Sequence, residues 1–430
     1  MRRHGFAIPS FLTLACLAGC GGGAEDPQGT PTTTGPTYYK DIAPLVNEQC
    51  AGCHQEGGIG KFSLLDAATA AQMADSMAAA TKARTMPPMP VNNDGSCNTY
   101  KNARWLSDEE IALIQRWASA GAPLGDAADA PTSAPELPKL TGEVAAFDLG
   151  VDYTPHPADD KADDYRCFLV DPGLATDAFI TGFDIQPGDA RLVHHVALFA
   201  LPDADVEAGA AALDAAEDGP GYTCFGSPGV AASLLVAWTP GAGATLFPAG
   251  TGIHYGGGRK LVAQMHYYVP ATGGPFTDRS AIKLQISSDP GLKPAIFFPI
   301  GTNQISLPPG DAHAEATAEV PLSAVAQHFN LPSFKGLRLW GAYPHMHTAG
   351  RTLRFSATAP GEASLCLTDV DRWNFHWQGL WWNDTPIDIS AESTISLACE
   401  YDTRGRTQTT VSGEGTDDEM CTSGFYVTMY

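Results

Sequence analysis

Tyr343-Pro344-His345-Met346-His347 sets two histidines at i and i+2. On an extended segment such residues face the same side, so both imidazoles can reach one metal ion. Met420, within Asp418-Glu419-Met420-Cys421, offers a thioether to complete the set. Thioethers favour Cu(I) and imidazoles tolerate both oxidation states of copper, so these donors suit copper. A second set lies upstream, with His194 and His195 in Arg-Leu-Val-His-His-Val-Ala-Leu-Phe and His266 in Leu-Val-Ala-Gln-Met-His-Tyr-Tyr. Neighbours on a flat strand face opposite sides, so His194 and His195 need a bulge or a twisted strand end to share an ion. His156, His254, His313, His328 and His376 receive no metal assignment, because a lone strand histidine is more often structural or on the surface.

A different chemistry is written in Cys50-Ala51-Gly52-Cys53-His54. Cys-x-x-Cys-His is the attachment signature of c-type haem: two thiols bond the vinyl groups and the next histidine ligates iron. Thr85-Met86-Pro87-Pro88-Met89-Pro90 supplies the sixth ligand, Met86 as first choice and Met89 as the alternative. A His/Met iron has a raised potential suited to passing single electrons. A helix then closes the unit. Ser107-Asp108-Glu109-Glu110 reads as its capping box, Ile111, Leu113, Ile114 and Trp117 as its apolar face, and Gly121 with Pro123 beyond as its stop. Residues 38–124 resemble a small cytochrome c domain, in which a late Met-Pro turn presents the axial thioether.

The chain start points to export. Arg2, Arg3 and His4 precede an apolar run, so 1–19 reads as a signal peptide too short to span a membrane. Leu17-Ala18-Gly19-Cys20 resembles the bacterial lipobox, which would make Cys20 the lipidated first residue of a periplasmic or cell-surface protein held at the membrane. Residues 20–37 are rich in Gly, Pro and Thr and read as a flexible tether. The net charge of −23 leaves no Lys/Arg surface for phosphates and excludes nucleic acid as a partner. Ten cysteines are present; apart from Cys16, Cys20 and the haem pair there remain Cys97, Cys167, Cys224, Cys366, Cys399 and Cys421. An even remainder in an exported protein points to disulfides, with fifteen pairings open.

With 430 residues, 44% hydrophobic and 17% charged, the chain can build two or three full cores. After a linker at 125–140, short apolar and often alternating runs are separated by Gly, Pro and Asp turns, as strands are. Long helical patterns are few; 205–215 is one candidate, or a loop. Ten or more short strands in about 290 residues imply β-sandwich architecture in two units. We place these at 141–295 and 296–430, with the junction near 288–301 where Pro290 and Pro294 interrupt the pattern. The expected fold is multidomain: a small all-α cytochrome c-like domain, then two all-β, jelly-roll-like sandwiches.

Taken in order, His194-His195, Gln264-Met265-His266-Tyr267, His345-Met346-His347 and Glu419-Met420-Cys421 resemble the motifs of the copper type II, ascorbate-dependent monooxygenases, over roughly Phe147 to Tyr430. The resemblance implies two β-sandwiches carrying a copper ion each. His194, His195 and His266 would bind the electron-transferring copper. His345, His347 and Met420 would bind the copper at which dioxygen reacts, and are therefore the catalytic candidates. It also implies a Cys399–Cys421 disulfide that straps the methionine strand, and matches Cys167 to a cysteine of the N-terminal half, with Cys224 as our choice of partner.

The same resemblance implies hydroxylation of a C–H bond in a small molecule, with dioxygen and two electrons from ascorbate or another one-electron donor. Peptide-amidating members carry an arginine where this chain has Tyr343, and an asparagine and a tyrosine where it has Thr422 and Gly424. Glycine-extended peptides are therefore not expected substrates. A one-electron carrier on the same chain gains effective concentration without a new interface, so the haem unit is expected to donate or relay the electrons. The competing reading is a non-catalytic periplasmic redox or copper-binding lipoprotein.

Overall fold

Beyond Glu143 the chain folds almost wholly as strands, whereas residues 38–124 form short helices and irregular segments. The computed structural model describes residues 35–56, 58, 60–101, 103–133, 138–157, 162–240, 243–269, 274–328, 335–413 and 417–430. The expected signal peptide, Cys20 and residues 20–34 of the tether lie outside the described residues. Among the described residues no helix is long and apolar enough to cross a membrane.

The helical part is built around helical turns at 38–50 and the helices Ala67–Gln72, Ala74–Lys82 and Asp108–Ser119. The last begins where Ser107 Oγ accepts the Glu110 N–H and the Glu110 carboxylate takes the Ser107 N–H, which satisfies two otherwise orphaned donors. It stops at Gly121, whose φ of 83° is open to glycine at little cost. Ile111, Ile114 and Trp117 turn inward onto Tyr38, Ile42 and Val46. Each such aliphatic side chain contributes about 1.5–3 kcal/mol on full burial.

One long sheet runs through both halves of the β region. Its strands lie in the order Glu143–Asp148, Ala281–Ser287, Ala178–Gln186, Thr251–Tyr255, Lys293–Thr302, Cys421–Met429, Gly336–His345 and Trp381–Ser390. A five-stranded sheet containing Asp163–Val170, Leu261–Tyr268 and Val193–Ala200 backs the first half. A four-stranded sheet of Ala314–Pro321, Thr394–Tyr401, Gly350–Thr358 and Leu365–Val370 backs the second. Each pair of layers encloses its own core, with Phe183, Val196 and Leu261 in the first and Phe298, Phe355 and Phe425 in the second. The helix Ala204–Ala216 forms, capped by Asp203, which accepts the Val206 N–H at 2.9 Å.

Two features differ from the sequence reading. The expected break at 288–301 is instead the strand Lys293–Thr302, parallel to Thr251–Tyr255 and antiparallel to Cys421–Met429. Pro294 and Pro299 each stand where that strand has a partner on one side only, a position that tolerates a missing N–H. The two halves thus share a sheet.

The second difference concerns the end of the helical part. Met89, Val91 and Tyr100 are buried in the core of the second sandwich, and Val91 and Tyr100 pair with Val370 and Asn383. A Cys97–Cys366 disulfide fastens this segment in place. Met89 is 4% exposed among sandwich side chains and lines one pocket together with Met86. The structure also joins Cys167 to Cys224 and Cys399 to Cys421.

Candidate metal centres

The strands Val193–Ala200 and Leu261–Tyr268 run antiparallel, and their register shifts between Val193 and His195 so that His195 stands opposite His266. This irregularity lets two adjacent histidines serve one point. His195 Nδ1 lies 3.0 Å from His266 Nδ1 and 3.3 Å from His194 Nδ1. One nitrogen from each ring falls within 4.8 Å of the others. These separations are close to the edge, about 3.3 Å, of a tetrahedron with metal–nitrogen bonds of about 2.0–2.1 Å.

Asp163 accepts the His266 Nε2 proton at 2.7 Å, which leaves the Nδ1 lone pair directed at the cluster. Tyr165 stacks on the other face of that ring, 4.1 Å between centroids and 7° from parallel. Burial holds His194 down to about 4, with a smaller push from His376. Burial and the neighbouring imidazoles hold His195 and His266 well below the usual histidine range. At neutral pH the nest therefore presents lone pairs rather than charges, as a cation requires.

The second set forms where the strand Gly336–His345 ends. The His345 and His347 rings lie 5.1 Å apart, 80° from parallel. His345 donates its Nδ1 proton to Gln378 Oε1 at 2.6 Å, and His347 donates Nδ1 to the Asp418 carbonyl at 3.0 Å. Both rings are thereby oriented with Nε2 as the basic nitrogen. Burial, then His347, holds His345 down to about 4.

Glu419 ties this loop to the methionine. Its carboxylate accepts the backbone N–H of His347 at 2.8 Å, of Ala349 at 2.6 Å and of Met420 at 3.3 Å. Burial pushes that carboxyl up to about 7, and the three N–H bonds oppose the rise. The Met420 carbonyl accepts the Tyr401 hydroxyl, and the Cys421–Cys399 disulfide follows directly. The structure thus gathers His345, His347 and the Met420 backbone, and two imidazoles with a thioether are donors that suit copper, above all Cu(I).

Asp163, Gln378 and Glu419 hold the candidate ligands, and none of them is assigned a role by the sequence reading. Glu419 adjoins a motif residue, but Asp163 is 103 positions from His266 and Gln378 is 33 from His345. Strand pairing brings in Asp163, and the turn over 374–378 brings in Gln378.

At the Cys-x-x-Cys-His segment, Cys50 and Cys53 are free thiols. Burial, then Cys53, pushes the Cys50 thiol up to about 12. His54 donates Nδ1 to the Phe62 carbonyl at 3.3 Å, leaving Nε2 basic, the tautomer that an iron ligand needs. A Cβ at Gly60 would stand 2.6 Å from His54 Nδ1, so this close approach requires glycine. Arg104 donates to Cys53 Sγ at 3.4 Å and lines a pocket with Arg84, Met86, Trp105 and Leu106. Met89 lines that pocket as well, whereas Cys50, Cys53 and His54 are not among its lining residues. Two thiols, an imidazole and a methionine thioether are the donor types that a covalently bound haem takes.

Residues 296–430 match the copper type II ascorbate-dependent monooxygenase C-terminal domain. Tyramine beta-hydroxylase of Caenorhabditis briggsae is 26% identical over 251 residues, covering 56% of this chain and 40% of that protein. Dopamine beta-hydroxylase of Canis lupus familiaris is 23% identical over 245 residues, covering 55% and 38%. DBH-like monooxygenase protein 1 of Homo sapiens is 23% identical over 256 residues, covering 56% and 40%. The chain spans about two fifths of the length of these relatives.

Proposed function

We propose that this chain is a copper-dependent monooxygenase that hydroxylates a C–H bond of a small molecule with dioxygen. His194, His195 and His266 would hold one copper ion, and His345, His347 and Met420 the other. The observation that carries this reading is the convergence of three neutral imidazoles, 3.0 and 3.3 Å apart, in a chain whose C-terminal part matches the copper monooxygenase domain. Bound copper would supply the one-electron chemistry by which dioxygen is reduced.

The protein's own part is to orient donors and shape the cleft. Asp163 and Gln378 fix the imidazole tautomers, and the Glu419 carboxylate anchors both the His347 and Met420 backbones. Phe225 and Phe375 set their rings 5.7 and 6.2 Å from His347, an apolar flank that favours an aliphatic or aromatic C–H substrate and sheds water. Tyr343, whose hydroxyl faces Gln378 at 3.5 Å, offers no cation to a substrate carboxylate, so glycine-extended peptides remain disfavoured.

In the same reading a c-type haem is bound by Cys50, Cys53 and His54 with Met86 as second axial donor, within a cytochrome c-like unit spanning 38–124. That unit would deliver single electrons taken from ascorbate or a redox protein. The Cys97–Cys366 disulfide supports this, since it keeps the unit beside the second sandwich. Export, and a lipid anchor at Cys20 in the periplasm or at the cell surface, belong to this proposal.

Copper and haem quantification on the purified chain, followed by product analysis with dioxygen and ascorbate over a C–H substrate panel, tests it. Two coppers, one haem and a hydroxylated product are expected. Dioxygen consumption without product would leave the non-catalytic redox lipoprotein. Met420→Ile separates the two readings, abolishing hydroxylation in the first and only weakening Cu(I) binding in the second.

A further inference from the structure

Residues 371–379 join the strand Leu365–Val370 to the strand Trp381–Ser390, and they touch both candidate copper nests. Near the start of this arm, Trp373 donates its backbone N–H to the Arg351 carbonyl and its indole N–H to the His347 carbonyl at 2.9 Å. Near its end, Gln378 accepts from His345 at 2.6 Å. Both ends are thus fixed to the His345/His347 pair.

Between them the arm turns on Asn374. Its side-chain oxygen accepts the His376 N–H at 3.0 Å, its carbonyl accepts the Trp377 N–H at 3.0 Å, and Gln378 Nε2 closes the turn on the Phe375 carbonyl at 2.8 Å. This turn sends the exposed His376 ring away from its own sandwich toward the other half. There it meets His194 edge-on, 5.2 Å between centroids and 84° from parallel.

A fourth imidazole beside three others needs a reason. Four imidazoles crowd like charges if any is protonated, and burial already disfavours the charged form. A plain aromatic contact on His194 would serve as well with Phe or Trp, residues the arm uses elsewhere. A cupric ion gives histidine a distinct role, because Cu(II) prefers tetragonal nitrogen and oxygen sites and three imidazoles leave such a site incomplete.

We infer that His376 is a fourth imidazole ligand to Cu(II) at the His194/His195/His266 nest, carried there by an arm whose ends hold His345 and His347. This rests on the reading that the nest binds copper. Occupancy of the first nest by Cu(II) then reaches the second through the six residues Trp373 to Gln378 rather than through solvent. His376 is the contribution of the C-terminal half to a site otherwise built from the N-terminal half.

The test uses the full chain loaded with Cu(II). X-ray absorption counts imidazoles per copper, and electron paramagnetic resonance with electron spin echo modulation reads the nitrogens of the cupric sites. His376→Ala is expected to keep two coppers, lose one imidazole from the summed count, shift the cupric spectrum and weaken the nest at least about tenfold. His254→Ala, an exposed histidine paired with Asp177, is the control and should change nothing.

An unchanged imidazole count and spectrum in His376→Ala, with two coppers still bound, would overturn this inference alone. Fewer than two coppers in the unaltered chain would overturn it together with the copper reading. A measurement without any variant guards against misfolding: diethylpyrocarbonate should modify His376 in the metal-free chain and spare it once Cu(II) is bound. Equal modification in both states sinks the assignment.

Discussion

His345 donates its Nδ1 proton to Gln378 Oε1 at 2.6 Å, from the end of one strand to a buried amide 33 residues later. With Nδ1 committed as donor, Nε2 is the nitrogen that remains basic. Gln378 in turn is set by its own bond to the Phe375 carbonyl. The tautomer of this candidate ligand is therefore decided by a residue outside any recognisable motif.

Gln378→Leu removes that acceptor and leaves a buried imidazole N–H unsatisfied. We expect the affinity of the second nest for Cu(I) to fall about 10–100-fold, with folding cost of about 1–3 kcal/mol. Gln378→Glu keeps an acceptor and should retain most of the affinity. Competition with a chromophoric Cu(I) chelator reads this, and equal affinity in Gln378→Leu would refute the orienting role.

The Cys97–Cys366 bond spans 269 positions and fastens the segment that carries Val91 and Tyr100 to the second sandwich. Replacing both cysteines by serine should cost about 2–5 kcal/mol. The loss should be local, with faster amide exchange at Val91 and Tyr100 before the β core responds. A urea midpoint equal to that of the parent chain would show that the buried side chains alone hold the contact.

Acid should destabilise the metal-free protein through its buried imidazoles. His194 and His345 are held down to about 4, whereas an unfolded chain takes up the proton near 6.5. Between those values these imidazoles bind more protons unfolded than folded. Glu419, pushed up from 4.5 to about 7, works the opposite way. His195 and His266 are lowered too and the four imidazoles outweigh it, so stability falls as the pH drops from about 6.5 toward 4. Protons compete with the cation for the same lone pairs, so bound copper should be released over the same interval. Urea midpoints across this range measure the effect in the metal-free chain. A flat profile would mean these imidazoles are already protonated when folded.

What the sequence made legible is what local spacing controls. His345 and His347 share a face because i and i+2 do so on any strand, and the box at Ser107 and Glu110 is closed within one turn. His194 and His195 needed an irregular register, and the structure has one at that point. What stayed hidden is set by strand order. Asp163 reaches His266 only because their strands are neighbours, and Cys97 meets Cys366 only because a loop of the helical part lies on the second sandwich. Pro294 looked like a break because a sequence does not say which strand edge is unpartnered. The burial of Met89 in the sandwich core was hidden for the same reason, since its sandwich partners lie more than two hundred positions away.

The haem proposal meets its sharpest test at Gly60. An added Cβ there would lie 2.6 Å from His54 Nδ1 and 2.8 Å from the Cys53 carbonyl oxygen, closer than real Cβ atoms come. The first neighbour is the imidazole that would ligate iron and the second is backbone, so neither can yield without moving His54 from its bond to the Phe62 carbonyl. Gly60→Ala should therefore lower haem incorporation or convert a low-spin His/Met absorption spectrum to a high-spin one. Gly256→Ala, where nothing lies within 4 Å of the new methyl, should leave it unchanged. Re-reduction of copper by an external donor should slow in Gly60→Ala, while the chemically pre-reduced enzyme still completes one turnover. If both reactions fail equally, the helical unit is not the electron donor. If the spectrum of Gly60→Ala matches that of the parent chain, His54 is not the ligand.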